Sequence, residues 1–483
     1  MGNVEDYIET VIKSGDTGSA LIAQQVAQTL RNSKLVDIIK EGMHGINVLR
    51  IPQDYYAAVH SAAGDPKEPN LEKYTASLVD RLVGQAEEMG FQPHGFADVI
   101  DIPKIRLDVL AAITGTLKEK ADQHGLAILN GELAGLGSRV NGIANSIGTM
   151  ISIAPKDRYP MAAIPGVFAS RTFRYALFDH QGKPVFINAD GVGTKVECYE
   201  RSGSYEKVIH DFDAMTLDDA SKLGADPKVV AGVVETRGDI PFGRIAAEAQ
   251  AVAKELGFLS LLCREDVGDR IRGYSESCYN LSGSVVSTID EERLAHPLKP
   301  SAGESLVAIR GKPNPRSNGI TVRRRIMVRL FGEDWHTKEE GKPFLEYLTA
   351  PSTILYGVFK DLIDQSLATS VYHMSGGAFE GKLAKPLASH GLFIKLQDLF
   401  PPDYRDLALV EAAQLSAEEA YGMWPMGNDG FISTADSDAA IRAIKKYGLE
   451  ARAVGHLQPA QDGKTGVELI GFHKKHVYFS GRD

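Results

Sequence analysis

The chain reads as an α/β (α+β) protein, with mixed sheets flanked by helices. Three patterns predict this class. Short β-prone apolar runs end in glycine turns, as in Val185–Ala189 before Asp190-Gly191. Stretches with apolar residues at helical spacing follow them, as from Glu206 to Leu223, where Ile209, Phe212, Ala220 and Leu223 form one stripe. A helix–strand–strand order running from about Val109 to Ile153 returns from about Arg244 to Ile289, roughly 130 residues on and so about one domain length later. At 483 residues the chain can bury two or three good cores.

In chain order, Ile46–Arg50 reads as a strand and Leu71–Gly90 as a helix. A helix from about Val109 leads to the strand-like Gly125-Leu126-Ala127-Ile128-Leu129, then to a turn at Asn130-Gly131-Glu132, then to a glycine- and serine-bearing strand from Asn141 to Ile153. The second occurrence runs through Gly257–Leu262 and Asp266-Val267-Gly268-Asp269-Arg270 to a strand with Ser282-Gly283-Ser284-Val285. Working backwards, Leu71–Gly90 matches the acidic helix before Gly224, and Ile46–Arg50 matches the strand before Asp190. The first third therefore reads as a diverged copy of the second, giving a first domain over 1–155 and a second over 156–296. Pro297-Leu298-Lys299-Pro300 then links to a separate α/β domain over 301–483.

Asp190-Gly191-Val192-Gly193-Thr194-Lys195 carries an acid, two glycines, a hydroxyl and a lysine at a strand end. Glycines let backbone N–H groups approach anionic oxygens, a lysine offsets phosphate charge, and an acid can face magnesium. The spacing is not that of a Walker A loop, and such a turn alone is as often a structural hairpin. The helix that follows bears Asp211, Asp213, Asp218 and Asp219, and ends at Gly224 and Pro227. Asp211 and Asp218 are seven apart and share a face beside the apolar stripe. A solvated acidic face is the plain alternative, yet carboxylates at a buried border call for a neutralising cation.

In the last domain, strand Ser305–Arg310 leads to Ser317-Asn318-Gly319 and a helix through about Leu330. That helix start is suited to phosphate, and Arg323-Arg324-Arg325 reads as a helix face with one or two phosphate contacts. A helix spans about Thr353 to Gln365. His373 follows a β-prone run and precedes Ser375-Gly376-Gly377, a position for an acid–base group or a structural imidazole. Gly427-Asn428-Asp429-Gly430 reads as a loop before strand Phe431–Thr434, and His473-Lys474-Lys475-His476 as a solvated tail.

The run from Asp190 through Gly224-Ala225-Asp226-Pro227 resembles the aminoimidazole ribonucleotide synthetase (phosphoribosylformylglycinamidine cyclo-ligase) family. The likeness continues through Ser317-Asn318-Gly319 with Arg323 and Arg324, Ala350-Pro351-Ser352-Thr353, His373-Met374-Ser375-Gly376-Gly377 and Met426-Gly427-Asn428-Asp429-Gly430. The resemblance implies a PurM-like fold whose amino-terminal domains pair into a barrel-like sheet, here inside one chain. It implies ATP and magnesium as cofactors, and closure of the imidazole ring of formylglycinamidine ribonucleotide. Asp190, Asp218 and Asp219 would hold the metal. Gly191, Gly193, Thr194, Lys195, Asp266, Glu132, Ser317, Asn318 and Gly319 would bind nucleotide or substrate, and Lys195, His373 and Asp190 would act in catalysis. The first copy keeps Asn130-Gly131-Glu132 but has Pro52-Gln53-Asp54-Tyr55 for the loop and Gly84-Gln85 for the paired acids. One active site per chain is therefore expected. Cys263, Arg264, Tyr372 and Trp424-Pro425 depart from the pattern and keep open a weak nucleotide-binding paralogue that works through a protein partner, as well as a synthetase or kinase with another substrate.

A formal charge of −10 disfavours nucleic acid and anionic membrane as main partners. Cys198, Cys263 and Cys278 fit no metal spacing and suit a reducing cytoplasm. With no signal-peptide core and no apolar run near twenty residues, a soluble cytoplasmic chain is expected, as a monomer with an internal pseudo-dimer or as a homodimer.

Overall fold

The computed structural model describes residues 27–41, 44–460 and 463–481. The chain divides into two compact bodies. One takes the residues up to Phe212 with Ala225–Ala295, and the other Asp213–Gly224 with His296 onward.

The first body is built on two six-stranded sheets. Its strands are β1 (Val36–Glu41), β2 (His44–Leu49), β3 (Tyr55–Ala63), β4 (Gln92–Ile102), β5 (Ala127–Gly135), β6 (Asn145–Pro155), β7 (Gly166–Ala169), β8 (Arg174–Phe178), β9 (Val185–Gly191), β10 (Asp226–Arg237), β11 (Leu259–Asp266) and β12 (Cys278–Thr288). Its longer helices are α1 (Leu71–Glu88), α2 (Leu107–His124), α3 (Val196–Ser202), α4 (Val208–Ser221, shared with the second body) and α5 (Phe242–Leu256). One sheet has the order β5-β4-β6-β3-β8-β7, the other β1-β2-β9-β12-β10-β11.

Both sheets are mixed in the same way. β4 runs parallel to β5 and antiparallel to β6, which is antiparallel to β3. β10 runs parallel to β11 and antiparallel to β12, which is antiparallel to β9. The connectivity β3–α1–β4–α2–β5–β6 thus reappears as β9–α4–β10–α5–β11–β12. Period-2 alternation places Ala57, Val59, Val99 and Ile151 of one sheet against Ile187, Ala231, Val233 and Val286 of the other in one core. The opposite face of the first sheet, with Phe96, Ile100 and Met150, is covered by Leu78, Leu82, Leu110 and Ile113 of α1 and α2. On the second sheet, a Cβ at Gly283 would lie 2.1 Å from the Ala231 carbonyl oxygen and 2.9 Å from the Phe212 ring. Only glycine admits that helix packing.

Three expectations change here. The sheets pack face to face as separate ladders, so the barrel-like sheet is not closed. One side of each sheet is instead extended by a hairpin, β1–β2 onto β9 and β7–β8 onto β3. The strand matching β9 in topology is β3, not Ile46–Arg50, because the latter run belongs to the hairpin that pairs with β9. Register then sets Asp190-Gly191, opposite Gly283-Ser282, against Ala62-Ala63, opposite Gly148-Ile147. The expected boundary at 155/156 also separates no compact bodies, since the two sheets share one core. Parts of the ranges 1–155 and 301–483, namely 1–26, 42–43, 461–462 and 482–483, lie outside the described residues.

The turns before β6 and β12 meet reciprocally. Val140 bridges Ile271, the Asn141 N–H donates to the Arg270 carbonyl, and the Arg272 N–H donates to the Arg139 carbonyl. This is the self-complementary pattern of a twofold contact, here within one chain.

The second body has sheets β14-β16-β13-β17 and β18-β15-β19-β20. Their strands are β13 (Ser305–Arg310), β14 (Ser370–His373), β15 (Leu392–Leu396), β16 (Gly430–Thr434), β17 (Glu450–His456), β18 (Gln458–Pro459), β19 (Gly466–Ile470) and β20 (His476–Phe479). Helices α6 (Ile320–Phe331), α7 (Tyr356–Asp364) and α8 (Tyr404–Ala413) pack around them. Val307, Ile309 and Ile432 bury against Val358, Phe359 and Leu362 of α7. His473–His476 is no free tail: it forms the turn joining β19 to β20.

Candidate functional site

In the first body, β9 delivers Asp190-Gly191 to the sheet end, and a 3-10 turn over Gly193–Lys195 leads into α3. The Asp190 Oδ1 accepts the Gly191 N–H at 2.7 Å. Gly193 takes φ 69°, which a side chain would strain. The loop lies against the other sheet. Asn130 Oδ1 accepts the Ala189 N–H at 3.0 Å, and a Cβ at Gly191 would sit 3.7 Å from Val99. Glu132, two residues beyond Asn130, is half-buried and lies on strand β5 opposite Val99, not in a turn. Asp266, at the end of β11, is exposed and accepts the Gly268 N–H at 3.1 Å.

Lys195 is not an open phosphate-binding cation. It is fully buried, with Nζ 2.8 Å from Asp211 Oδ1 and 5.7 Å from the Tyr199 ring centre. The Tyr199 hydroxyl donates to Asp211 Oδ2. Burial and the Asp211 charge push that hydroxyl well above its usual pKa. Asp211 occupies the buried face expected for it, and Lys195 pairs with it there.

The matching position in the first copy is filled. A Cβ at Gly64 would lie 2.5 Å from the Tyr74 ring. The Arg270 guanidinium stacks on that ring at 3.7 Å and donates to the Pro66 and Glu68 carbonyls. Arg81 donates to the Ala63 carbonyl at 3.2 Å and to Glu265 at 2.7 Å.

Sequence reasoning missed a buried carboxyl–amide cluster where the copies meet. Asn280 Nδ2 donates to Asp101 Oδ2 at 2.7 Å and to Glu235 Oε2 at 3.1 Å. Asn145 Nδ2 donates to Glu235 Oε1, and the Tyr74 hydroxyl donates to Asn145 Oδ1 at 2.8 Å. Burial pushes Asp101 up to about 8, with repulsion from Glu235 adding to it. Burial likewise raises Glu235 to about 7. The legible signal was an Asn early in each of β6 and β12. Asp98, on the helix-covered face, is buried without a hydrogen-bond partner and burial raises it to about 7.

In the second body, Asp218 is fully buried, and its charge is met by the Arg316 guanidinium and a backbone N–H. Arg316 Nη2 donates to Oδ2 at 2.9 Å and the Leu355 N–H to Oδ1 at 2.8 Å. Arg316 Nη1 also donates to the Thr353 carbonyl at 2.9 Å. His373 Nε2 is 3.0 Å from Asp219 Oδ1 and 3.1 Å from Ser375 Oγ, while Nδ1 is 3.8 Å from Asp218. Because Asp219 and Ser375 meet the same ring nitrogen, the group is not a nucleophile triad. Burial alone would raise the Asp219 carboxyl, but Lys222, Lys382 and His373 hold it well below its usual value. Asp213 is pushed well up by burial and by the Asp218 charge.

Among the described residues, no three His, Cys, Asp or Glu side chains are grouped to hold a metal. Of the expected set, Asp190 belongs to the first body, and Asp218 and Asp219 to the second. Asp429 instead fixes loops: it accepts the Gly311 N–H at 2.8 Å and the Thr353 hydroxyl at 2.9 Å. Ser317, Asn318 and Gly319 precede α6, with Gly319 as its N-cap and Asn318 Nδ2 donating to the Met374 carbonyl at 3.0 Å. A cavity of about 250 Å³ in this body is lined by Arg310, Lys312, Asn314, Tyr347, Tyr404 and Asp429.

The chain resembles phosphoribosylformylglycinamidine cyclo-ligases. It is 24% identical over 311 residues to the enzyme of Magnetococcus marinus, covering 61% of this chain and 85% of that one. It is 26% identical over 303 residues to that of Thermococcus kodakarensis, covering 62% and 85%. No family model matches the chain. Among solved structures, thiamine-monophosphate kinase of Stenotrophomonas maltophilia aligns with a TM-score of 0.42 at 12% identity, over 63% of this chain and 91% of that one. HypE of Escherichia coli aligns with a TM-score of 0.40 at 13% identity, over 56% and 78%. No helix among the described residues is long and apolar enough to cross a membrane.

Proposed function

We propose that the chain is an ATP-dependent cyclo-ligase that closes the imidazole ring of formylglycinamidine ribonucleotide. The observation that carries this reading is the Asp190–Lys195 loop at the end of β9, tied to β5 by the Asn130–Ala189 hydrogen bond two residues before Glu132. The names of the curated relatives support the substrate. ATP fits this place by its donors: Gly191 and Gly193 leave room for phosphate oxygens at the backbone, and Asp190 and Glu132 bring carboxylates for magnesium, which commonly takes one or two plus phosphate. When bound, ATP supplies the phosphoryl group that activates the amide oxygen, and magnesium offsets its charge.

Lys195 then acts as a positioning residue, pinning the loop to α4 through Asp211. His373, held by Asp219, would move a proton at the cyclising nitrogen. Asp218 and Arg316 would fix the turn that presents Thr353. Ser317, Asn318 and Gly319 would bind the substrate. The first copy would contribute Glu132 and a docking face, through duplication of one ancestral domain. A second reading, a weak nucleotide-binding paralogue with a protein partner, draws on the internal neutralisation of Lys195 and Asp218.

The test is ATP hydrolysis dependent on formylglycinamidine ribonucleotide, with release of aminoimidazole ribonucleotide. Absence of both with folded protein would refute the cyclo-ligase reading. Glu132→Gln should lower turnover at least tenfold, and unchanged turnover would remove the first copy from the site.

A further inference from the structure

We propose that the cavity at the carboxyl end of β13 binds a ribonucleoside 5′-phosphate, with Lys312 and Arg310 on the phosphate and Tyr404 against the base. This deepens the reading above and rests on it only for which ribonucleotide is held. The space of about 250 Å³ lies just below the usual range for small-molecule sites, about 300–1,000 Å³. That size suits a mononucleotide rather than a longer chain. All of the lining belongs to the second body.

Charge selects an anion. Two carboxylates and two cations line the cavity, and the carboxylates are already engaged inside the protein. Asp429 accepts the Gly311 N–H at 2.8 Å, the Thr353 hydroxyl at 2.9 Å and Asn314 Nδ2 at 3.2 Å. Asp403, the N-cap of α8, accepts the Arg405 backbone N–H at 3.0 Å and Arg405 Nε at 2.6 Å. The cations keep unused donors. The exposed Lys312 ammonium has no hydrogen bond or ion pair among the described residues. Arg310 donates Nε and Nη2 to Glu450 Oε1, at 3.0 and 2.7 Å, which leaves Nη1 over. These two residues are two apart in the chain at one rim, and phosphate oxygens suit such donors.

The walls suit a flat ring. Tyr404 is 66% exposed, an unusual place for so large a ring, and the Arg405 guanidinium braces it at 5.1 Å while stacking on Tyr347 at 4.4 Å. Such a tyrosine offers a stacking face to a base of any sequence. Gly427 takes φ 85°, and a Cβ there would lie 2.4 Å from the Pro401 carbonyl oxygen, so only glycine lets this loop close the wall. The floor joins the histidine turn. The Met374 N–H donates to the Asp429 carbonyl at 3.0 Å, and His373 pairs with Gly430 in the ladder. A ligand in the cavity therefore lies on the strand ends that carry His373.

The test is isothermal titration of the full chain with AMP, which carries both a 5′-phosphate and a flat base, and with inorganic phosphate. Lys312 and Tyr404 are exposed, so Lys312→Met and Tyr404→Ala should both fold. Wild type should bind AMP saturably. Lys312→Met should weaken AMP and inorganic phosphate alike, by about tenfold to hundredfold, as expected for one hydrogen bond to a charged group. Tyr404→Ala should weaken AMP by about fivefold to hundredfold, the worth of stacking one base, and leave inorganic phosphate unchanged. No saturable AMP binding, or equal AMP binding by wild type and Lys312→Met, would overturn the proposal. Inorganic phosphate binding as tightly as AMP, with Tyr404→Ala indifferent, would overturn the ribonucleotide class. AMP binding that depends on Lys312 in a chain without cyclo-ligase turnover would refute the functional reading alone. An active enzyme whose AMP binding ignores Lys312 and Tyr404 would refute this site alone.

Discussion

Asp101→Asn isolates the buried cluster at the meeting of the two copies. In the folded chain burial holds the Asp101 carboxyl at about 8, against 3.8 when exposed. The folded state therefore keeps a proton that the unfolded chain has already released above about pH 4. Because the native state binds more protons, stability falls as pH rises, by about 1.4 kcal/mol per pH unit for each such proton. From pH 5 to pH 8 the loss from Asp101 is about 4 kcal/mol, and it levels off above pH 8. Glu235, raised to about 7, titrates with it as a pair across the shared Asn280. Asn at position 101 keeps the acceptor for Asn280 and cannot ionise. Both tryptophans lie in the second body, so the assay must look elsewhere. Hydrogen exchange of the β4, β6, β10 and β12 amides reports the first body. Protection in wild type should fall steeply between pH 5 and 8 after correction for intrinsic exchange, and Asp101→Asn should flatten that fall. Parallel pH profiles for the two proteins would refute the reasoning.

Lys195→Met should destabilise the first body by about 3–5 kcal/mol, because it leaves Asp211 buried without its cation. Far-UV circular dichroism melting would detect it, and an unchanged melt would contradict the pairing. Isothermal titration should find one ATP per chain, since Tyr74 and Arg270 fill the place opposite Asp65–Glu68. Two equivalent sites would refute that closure. His373→Asn should cut turnover at least a hundredfold with the melt unchanged, and near wild-type turnover would remove His373 from the mechanism.

Local patterns carried the fold class. Glycine-punctuated apolar runs and helical stripes fixed β9, α4, β14, β16 and α6 to within a few residues, because each depends on periodicity within its own segment. Long-range pairing was invisible in the same way. Ile46–Leu49 is mostly apolar like a core strand, and nothing local says that it pairs with β9, well over a hundred residues on in the chain. Charge was the other blind spot. A glycine-flanked lysine at a strand end looks like a phosphate ligand, and only the fold reveals that Asp211, sixteen residues on, reaches it at 2.8 Å. Asp218 misled similarly, since Arg316 lies 98 residues away in sequence.

The two halves of the first body read differently in sequence yet share one order of strands and helices and one ladder pattern. The ladder registers are kept: Gly148 and Gly283 face equivalent partners, and Asn145 and Asn280 each donate to a carboxylate of the opposing copy. These positions lie where the copies touch, so changing one disturbs both. The loop ends do not touch in that way. At one, Asp190-Gly191 ends β9 just after Ala189, whose N–H is held by Asn130. At the other, Ala62-Ala63-Gly64 is stacked under Tyr74 and Arg270. Positions where the two sheets touch keep one pattern because each is packed from both sides, while the strand ends, packed from one side, differ.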